Sequence, residues 1–190
     1  GSEMCIRDRV GGAGKTPVSM KISKLLIKAG YNPHFISKGY AGIIKESTLI
    51  QTWHSPISVG DESILLSEIA STWIGVNRIK SAHLAKKKGA DCLIMDDGFQ
   101  NVSLVKDLSL LVFDGGAGRG NKHLLPAGPL REPLDDALSR ADGLILLGED
   151  KTSLLSSLPT SMPKFIANVR PVLKKLELKG RRFLAFAGIG

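Results

Sequence analysis

Apolar positions along this chain follow two rhythms. Over residues 17–29, Val18, Ile22, Leu25, Leu26 and Ala29 recur at helical spacing on one face. Lys21, Lys24 and Lys28 occupy another face, and Gly30 supplies a stop. Elsewhere the apolar residues bunch into short blocks, at 34–37, 72–76, 92–95, 108–113, 143–147, 164–169 and 182–187. Such blocks suit strands covered on both faces, as in a parallel sheet. Helices are predicted between them: over 62–71 with Asp61 as cap, over 78–88 behind Asn77, and led by Pro133 before residue 143. This alternation predicts an α/β domain on a mostly parallel sheet. Residues 151–163, rich in Ser, Leu and Pro, fit either a loop or a short helix. Residues 1–9 carry no period, so no strand is predicted ahead of the glycine-rich run that follows them.

Composition narrows the class without naming a function. The chain has 190 residues, 43% of them hydrophobic, which is enough for one packed core and excludes a wholly disordered chain. Two cysteines, Cys5 and Cys92, are too few for a disulfide framework or a cysteine zinc site, and a reducing compartment is expected. The net charge of +8 favours anionic partners. Nucleic acid is disfavoured among these, because aromatics are 5% of the chain and no basic-aromatic strip offers a stacking surface. No apolar run approaches the ~18 residues of a spanning helix, and no secretory signal pattern opens the chain.

Two motifs carry chemistry. Gly11-Gly12-Ala13-Gly14-Lys15-Thr16 opens the first amphipathic helix. Glycines there let backbone N–H groups converge on phosphate, the lysine reaches the β- and γ-phosphates, and the threonine hydroxyl can ligand Mg²⁺. The usual first glycine of such a P-loop would stand at position 9, which is Arg9 here. Downstream, the apolar run 92–95 ends in Asp96-Asp97, an acid pair at a strand's carboxyl edge that can hold Mg²⁺ or its water shell. Together they predict ATP or GTP with Mg²⁺ as the working ligands. Gly60-Asp61-Glu62 reads on spacing alone as a helix cap. The long loop 114–133 brings Arg119, Lys122, His123, Arg131 and Glu132 into one segment, a set suited to anionic groups. A P-loop NTPase-like three-layer α/β/α fold is therefore expected.

In order, VGGAGKTPV, ISKGYAG, VGDE, MDDGFQN, LLVFDGG, GN followed by LLPAGPLREPL, RADG and FAGIG resemble the tetraacyldisaccharide 4′-kinases of lipid A biosynthesis. The likeness runs from about Val10 to Gly190, and DDGFQ and LPAGPLREP are its most specific parts. It implies transfer of the γ-phosphate of ATP to the 4′-hydroxyl of a tetraacyldisaccharide 1-phosphate lipid, giving lipid IVA. The reaction would take place at the cytoplasmic face of the bacterial inner membrane, by a peripheral monomer that binds no nucleic acid. It further implies that Gly11, Gly12, Ala13, Gly14, Lys15 and Thr16 hold phosphate, with Arg131 steadying it. Asp61 becomes the base for the sugar hydroxyl, with Lys15 beside it in catalysis. Thr16, Asp96, Asp97 and Glu132 become the Mg²⁺ end, and Tyr40 and the 121–128 loop lie near the lipid headgroup.

Departures accompany the likeness. The family's SRGYG reads Ser37-Lys38-Gly39-Tyr40-Ala41 here, which loses any bidentate arginine contact. Its DDGFQH ends in Asn101. On this reading residues 1–9 are a non-native segment. Residues 10–190 form a P-loop kinase domain truncated at both ends, lacking a C-terminal domain and inactive alone. The alternative is a P-loop ATPase switch or assembly factor. Val10 stands where that class carries its signature lysine, and nothing in that class explains LPAGPLREP.

Overall fold

The computed structural model describes residues 2–7, 14–118, 120–121, 123–124, 126–128 and 130–170, with residues 2–7 as backbone alone. Gly11, Gly12 and Ala13, the loop residues Arg119 and Lys122, and the apolar block at 182–187 lie outside the described residues. In chain order the elements are β1 (Ser2–Arg7), α1 (Lys15–Lys28), β2 (Pro33–Ser37), β3 (Thr48–Leu49), α2 (Pro56–Val59), α3 (Asp61–Ser67) and β4 (Thr72–Ile74). There follow α4 (Arg78–Lys87), β5 (Cys92–Asp96), β6 (Leu108–Asp114), α5 (Leu134–Leu138), β7 (Gly143–Leu147) and β8 (Lys164–Ala167). The strands form one sheet in the order β3-β4-β2-β5-β1-β6-β7-β8. All neighbours run parallel except β3, which is antiparallel to β4.

The expected α/β/α layering is present. Alternate residues of each central strand go to opposite faces, and helices cover both. Phe35, Ile94, Leu110, Val112, Ile145 and Leu147 pack with Val18 of α1 and Leu66 of α3. Ile36, Leu93, Met95, Leu111, Phe113, Leu144 and Leu146 pack on the other side with Ala82 and Ala85 of α4 and Ala137 of α5. Each fully buried Leu, Ile or Phe contributes about 1.5–3 kcal/mol of transfer free energy. That two-sided burial is why the strands read as unbroken apolar blocks.

Four expectations are corrected. No strand is predicted over residues 1–9, yet β1 lies at the sheet's centre, paired with β5 from Ser2↔Cys92 to Ile6↔Asp96 and with β6 on its other edge. Its backbone gains ladder bonds on both edges from distant strands, a support with no local period to reveal it. The helix expected over 62–71 ends at Ser67, because the Leu66 carbonyl accepts from both Ile69 and Ala70 and tightens the chain into β4. Asp61 is the first residue of that helix rather than its cap; the cap position is Gly60. Lastly, α1 is rotated from its apolar face. Ser19 and Ser23 are fully buried while Leu25 is 52% exposed.

His34 is a buried polar residue on β2. The Trp73 indole N–H donates to its Nδ1 at 3.2 Å, so the ring is neutral with its proton on Nε2. Burial pushes the His34 pKa below its ordinary 6.5, and Asp91 opposes that shift. A group lowered this way contributes stability fully above 6.5 and loses it as pH falls through the folded value. Thermal midpoints at pH 7.5 and 5 should therefore fall further for the parent chain than for His34→Gln; equal falls would refute the assignment.

Candidate active site

The site lies where the carboxyl ends of the central strands meet the start of α1. Gly14 takes φ 81° and caps α1 without a side-chain bond. A Cβ there would collide with the Leu147 side chain, so the position combines a left-handed backbone with a close approach. Directly after it, Lys15 donates to Asp97 Oδ1 at 3.2 Å and the Thr16 hydroxyl donates to Asp96 Oδ2 at 3.1 Å. One turn on, the Ser19 hydroxyl donates to Asp96 Oδ1 at 2.9 Å. The helix rotation noted above follows from this contact: a buried carboxylate needs donors, and α1 turns a serine toward it.

The two aspartates live in different fields. Asp96 ends β5 and is 6% exposed. Burial pushes its carboxyl above the usual range, and the Ser19 and Thr16 hydroxyls and Lys15 only partly oppose this. Asp97 sits just outside the strand at φ 53°, an uncommon backbone for aspartate. Burial raises it too, but the charges of Lys15 and Arg131 outweigh that and hold it below the usual range. Arg131 places Nη1 at 3.1 and 2.9 Å from the two Asp97 oxygens, and Arg78 donates from Nη2 to the Asp97 carbonyl at 3.3 Å.

The loop 114–133 delivers Arg131. Asn121 donates from Nδ2 to the Ala127 carbonyl at 2.7 Å and accepts from the His123 amide at 3.1 Å. A bridge joins Leu124 to Leu130. These bonds fold the loop on itself and bring Arg131 to the acid pair rather than to open solvent. Glu132 is turned elsewhere: its Oε2 pairs with Arg140, whose guanidinium stacks 4.9 Å from the Phe99 ring centroid. Arg140 thus ties the REP segment to the DDGFQ segment.

Asp61 opens α3 and is exposed, with Oδ1 accepting from the Glu62 amide at 2.9 Å. Its turn is held by Gly60 at φ 88°, where a Cβ would strike the Tyr40 carbonyl oxygen. Glu62 feels the same field as the acid pair. Desolvation, then the Asp96 charge, push its carboxyl up, and Lys15 pulls it down. Tyr40 itself is an exposed side chain beside this turn.

Lys15, Thr16, Asp96, Asp97 and Arg131, all singled out in the sequence, are thus joined by direct bonds, while Glu132 pairs with Arg140. Ser19, Arg78 and Arg140 had not been singled out for the site. Position was the one available signal for two of them: Ser19 lies one turn into the helix after Lys15-Thr16, and Arg78 follows directly on Asn77 beyond a strand's carboxyl end; Arg140 opens the RADG motif.

The SKGYA turn invites a test. Ala41 adopts φ 60°, left-handed, where the resembled family carries glycine. That conformation costs an L-residue about 1–2 kcal/mol, offset in part by glycine's extra unfolded-state entropy. Ala41→Gly should raise the denaturant midpoint, equivalent to about 0.5–1 kcal/mol; a fall would refute the strain.

Residues 8–190 match the family model for tetraacyldisaccharide-1-P 4′-kinase. The tetraacyldisaccharide 4′-kinase of Gluconobacter oxydans is 44% identical over 187 residues, covering 98% of this chain and 57% of its own length. That of Paramagnetospirillum magneticum is 45% identical over 183 residues, covering 95% and 56%. The chain thus spans little more than half the length of the curated relatives it matches. Among solved structures, the "apo" form of LpxK from Aquifex aeolicus in complex with ATP superposes with TM-score 0.72 at 30% identity, covering 87% of this chain and 53% of that one. The signal recognition particle receptor FtsY of Elizabethkingia anophelis shares the fold alone, at 13% identity and TM-score 0.51. The likeness read from the motifs extends over nearly the whole sequence, and the chain belongs to the tetraacyldisaccharide-1-P 4′-kinase family.

Proposed function

We propose that this chain is the nucleotide-binding portion of a lipid kinase. It transfers the γ-phosphate of ATP to the 4′-hydroxyl of tetraacyldisaccharide 1-phosphate, giving lipid IVA. The observation that carries this reading is the meeting of Lys15 and Thr16, at the start of α1, with Asp97 and Asp96 at the end of β5. Family membership supplies the acceptor.

The donor set fits Mg²⁺. Thr16, Asp96 and Asp97 offer hard oxygens, and among the described residues no group of three His, Cys, Asp or Glu forms a closed protein cage. Magnesium commonly takes one or two carboxylates and completes its shell with water and phosphate. When bound, the ion neutralises charge on the phosphates. Glu132 would have to exchange Arg140 for the metal end, and Asp97 would have to share both Lys15 and Arg131, which already contact its oxygens. Arg131, forked on Asp97, acts on phosphate through that carboxylate's position.

Asp61 accepts the proton of the 4′-hydroxyl. Little covalent work falls to the protein, so positioning and charge neutralisation dominate. The protein works as a peripheral monomer at the cytoplasmic face of the inner membrane. No helix among the described residues is long and apolar enough to cross a membrane. The test is labelled γ-phosphate transfer from ATP to the tetraacyldisaccharide 1-phosphate by the full-length protein. Label appearing on the lipid supports the reading. A folded, ATP-binding protein that labels no lipid would overturn it.

A further inference from the structure

Helix α1 fully buries two serines one turn apart, Ser19 and Ser23. Small residues at that spacing let a helix pack closely, and size alone accounts for Ser23: its Oγ is buried with no hydrogen-bond partner among the described residues. Ser19 differs. Its hydroxyl donates to Asp96 Oδ1 at 2.9 Å, across 77 residues of chain. Thr16, three residues earlier on the same helix, donates to Oδ2 at 3.1 Å. Residues three apart on a helix are neighbours on its surface, so one turn of α1 holds both oxygens of one carboxylate.

The kind of donor matters as much as the number. Asp97 is contacted by two cations, Lys15 and Arg131, which offset its charge. Asp96 accepts from two neutral hydroxyls, which orient a carboxylate without neutralising it. Each carboxylate oxygen has two lone-pair positions, so each Asp96 oxygen keeps one for a further partner. A carboxylate that is 6% exposed, with its orientation fixed by neutral donors, leaves its charge to attract a divalent cation or a water of its shell. Thr16 is read as a ligand of that same ion, which leaves Ser19 as the donor dedicated to Asp96.

We propose that Ser19 is a positioning residue for the metal end of the site, whose hydroxyl holds the Asp96 carboxylate in the orientation that receives Mg²⁺ or a water of its shell. The inference rests on the reading of Asp96 as part of that end, and it adds a residue from outside the GGAGKT run. Removing the hydroxyl leaves Asp96 Oδ1 without its buried donor and frees the carboxylate to turn. Groups that orient a metal ligand in this way ordinarily change metal affinity by about 10- to 100-fold when lost.

The test is calorimetric binding of ATP to the full-length protein, in EDTA and then across a range of Mg²⁺ concentrations. Ser19→Ala and Ser19→Cys are compared with the parent; the thiol of the second fills the space but is a weak donor. Ser23→Ala, which removes the neighbouring buried hydroxyl that bonds nothing, is the control. Circular dichroism checks each fold. In EDTA all four proteins should bind ATP alike. With Mg²⁺, Ser19→Ala should need about 10- to 100-fold more of the ion to reach half of the parent's gain in affinity. Ser19→Cys should shift in the same direction, and Ser23→Ala should follow the parent.

Ser19 variants that need no more Mg²⁺ than the parent would overturn the proposal. So would an equal loss of ATP affinity in EDTA and in Mg²⁺, which marks a structural role, or a Ser23→Ala shift as large as that of Ser19→Ala. A parent whose ATP affinity does not respond to Mg²⁺ would overturn the metal reading of Asp96 and the role of Ser19 with it. The acceptor can fail separately: a Ser19-dependent Mg²⁺ response in a protein that labels no lipid would support this inference and remove only the lipid substrate.

Discussion

Asp61→Asn in the full-length protein is expected to slow phosphoryl transfer by about 10²- to 10⁴-fold, the usual contribution of a positioned general base. ATP affinity should stay unchanged. The substitution is close to isosteric, and the side-chain oxygen can still accept the Glu62 amide that fixes Asp61 Oδ1 at 2.9 Å. The turn at Gly60 is set by backbone and by its contact with Tyr40, neither of which the variant alters. What the amide cannot do is take a proton from a hydroxyl. Turnover should therefore fall alone, measured by single-turnover transfer with ATP affinity followed by calorimetry. Parallel losses in both would return Asp61 to a structural role at the start of α3.

Lys15→Ala is expected to act on both quantities. The ammonium lies 3.2 Å from Asp97 Oδ1 and is only 17% exposed. In the nucleotide complex it is read as meeting phosphate in the ground state and in the transition state alike. Its loss should lower kcat/KM by about 10²- to 10³-fold, the scale of removing one preorganised donor, and weaken ATP binding as well. A second effect follows from the acid pair. Asp97 is raised by burial and held down by Lys15 and Arg131 together. With Lys15 gone, Arg131 alone opposes burial, so the Asp97 carboxyl should titrate higher than in the parent. Carbon-detected titration of the aspartates would show it. An unmoved Asp97, or intact ATP affinity, would contradict this account.

Much of this architecture was legible in one dimension. The strands β2, β4, β5, β6 and β7 coincide with apolar blocks because helices cover both faces of the sheet, so every position along a central strand is under the same pressure; β8 is also an apolar block, though at the sheet's edge Phe165 and Ile166 are exposed. Asn77 announced α4, and its side chain does accept from the Lys80 amide at 2.9 Å. The elements that escaped were β1, which has no local period, and two with no room for one, the two-residue β3 and the single-turn α2; the 3₁₀ turn at Leu155–Ser157 falls in the segment 151–163, which fits either a loop or a short helix. Only α2 left a local trace, in Ser55 and Pro56 at its cap and first position.

For the site, residue type and order determined the chemistry. A glycine-rich turn with Lys15 and Thr16, and an acid pair closing a strand, name a phosphate and a metal wherever they come together. Tertiary structure decided how these residues are shared out. Distance across the sheet is set by strand order, and β5 lies beside β1 although more than eighty residues separate them. That adjacency makes α1 present Ser19 to Asp96 and leaves Leu25 outside. It also puts Arg131 on Asp97 and Glu132 on Arg140, because the folding of loop 121–130 sets where two neighbouring side chains can reach. Pairings of that kind depend on contacts between segments, which no local pattern of apolar and polar residues encodes.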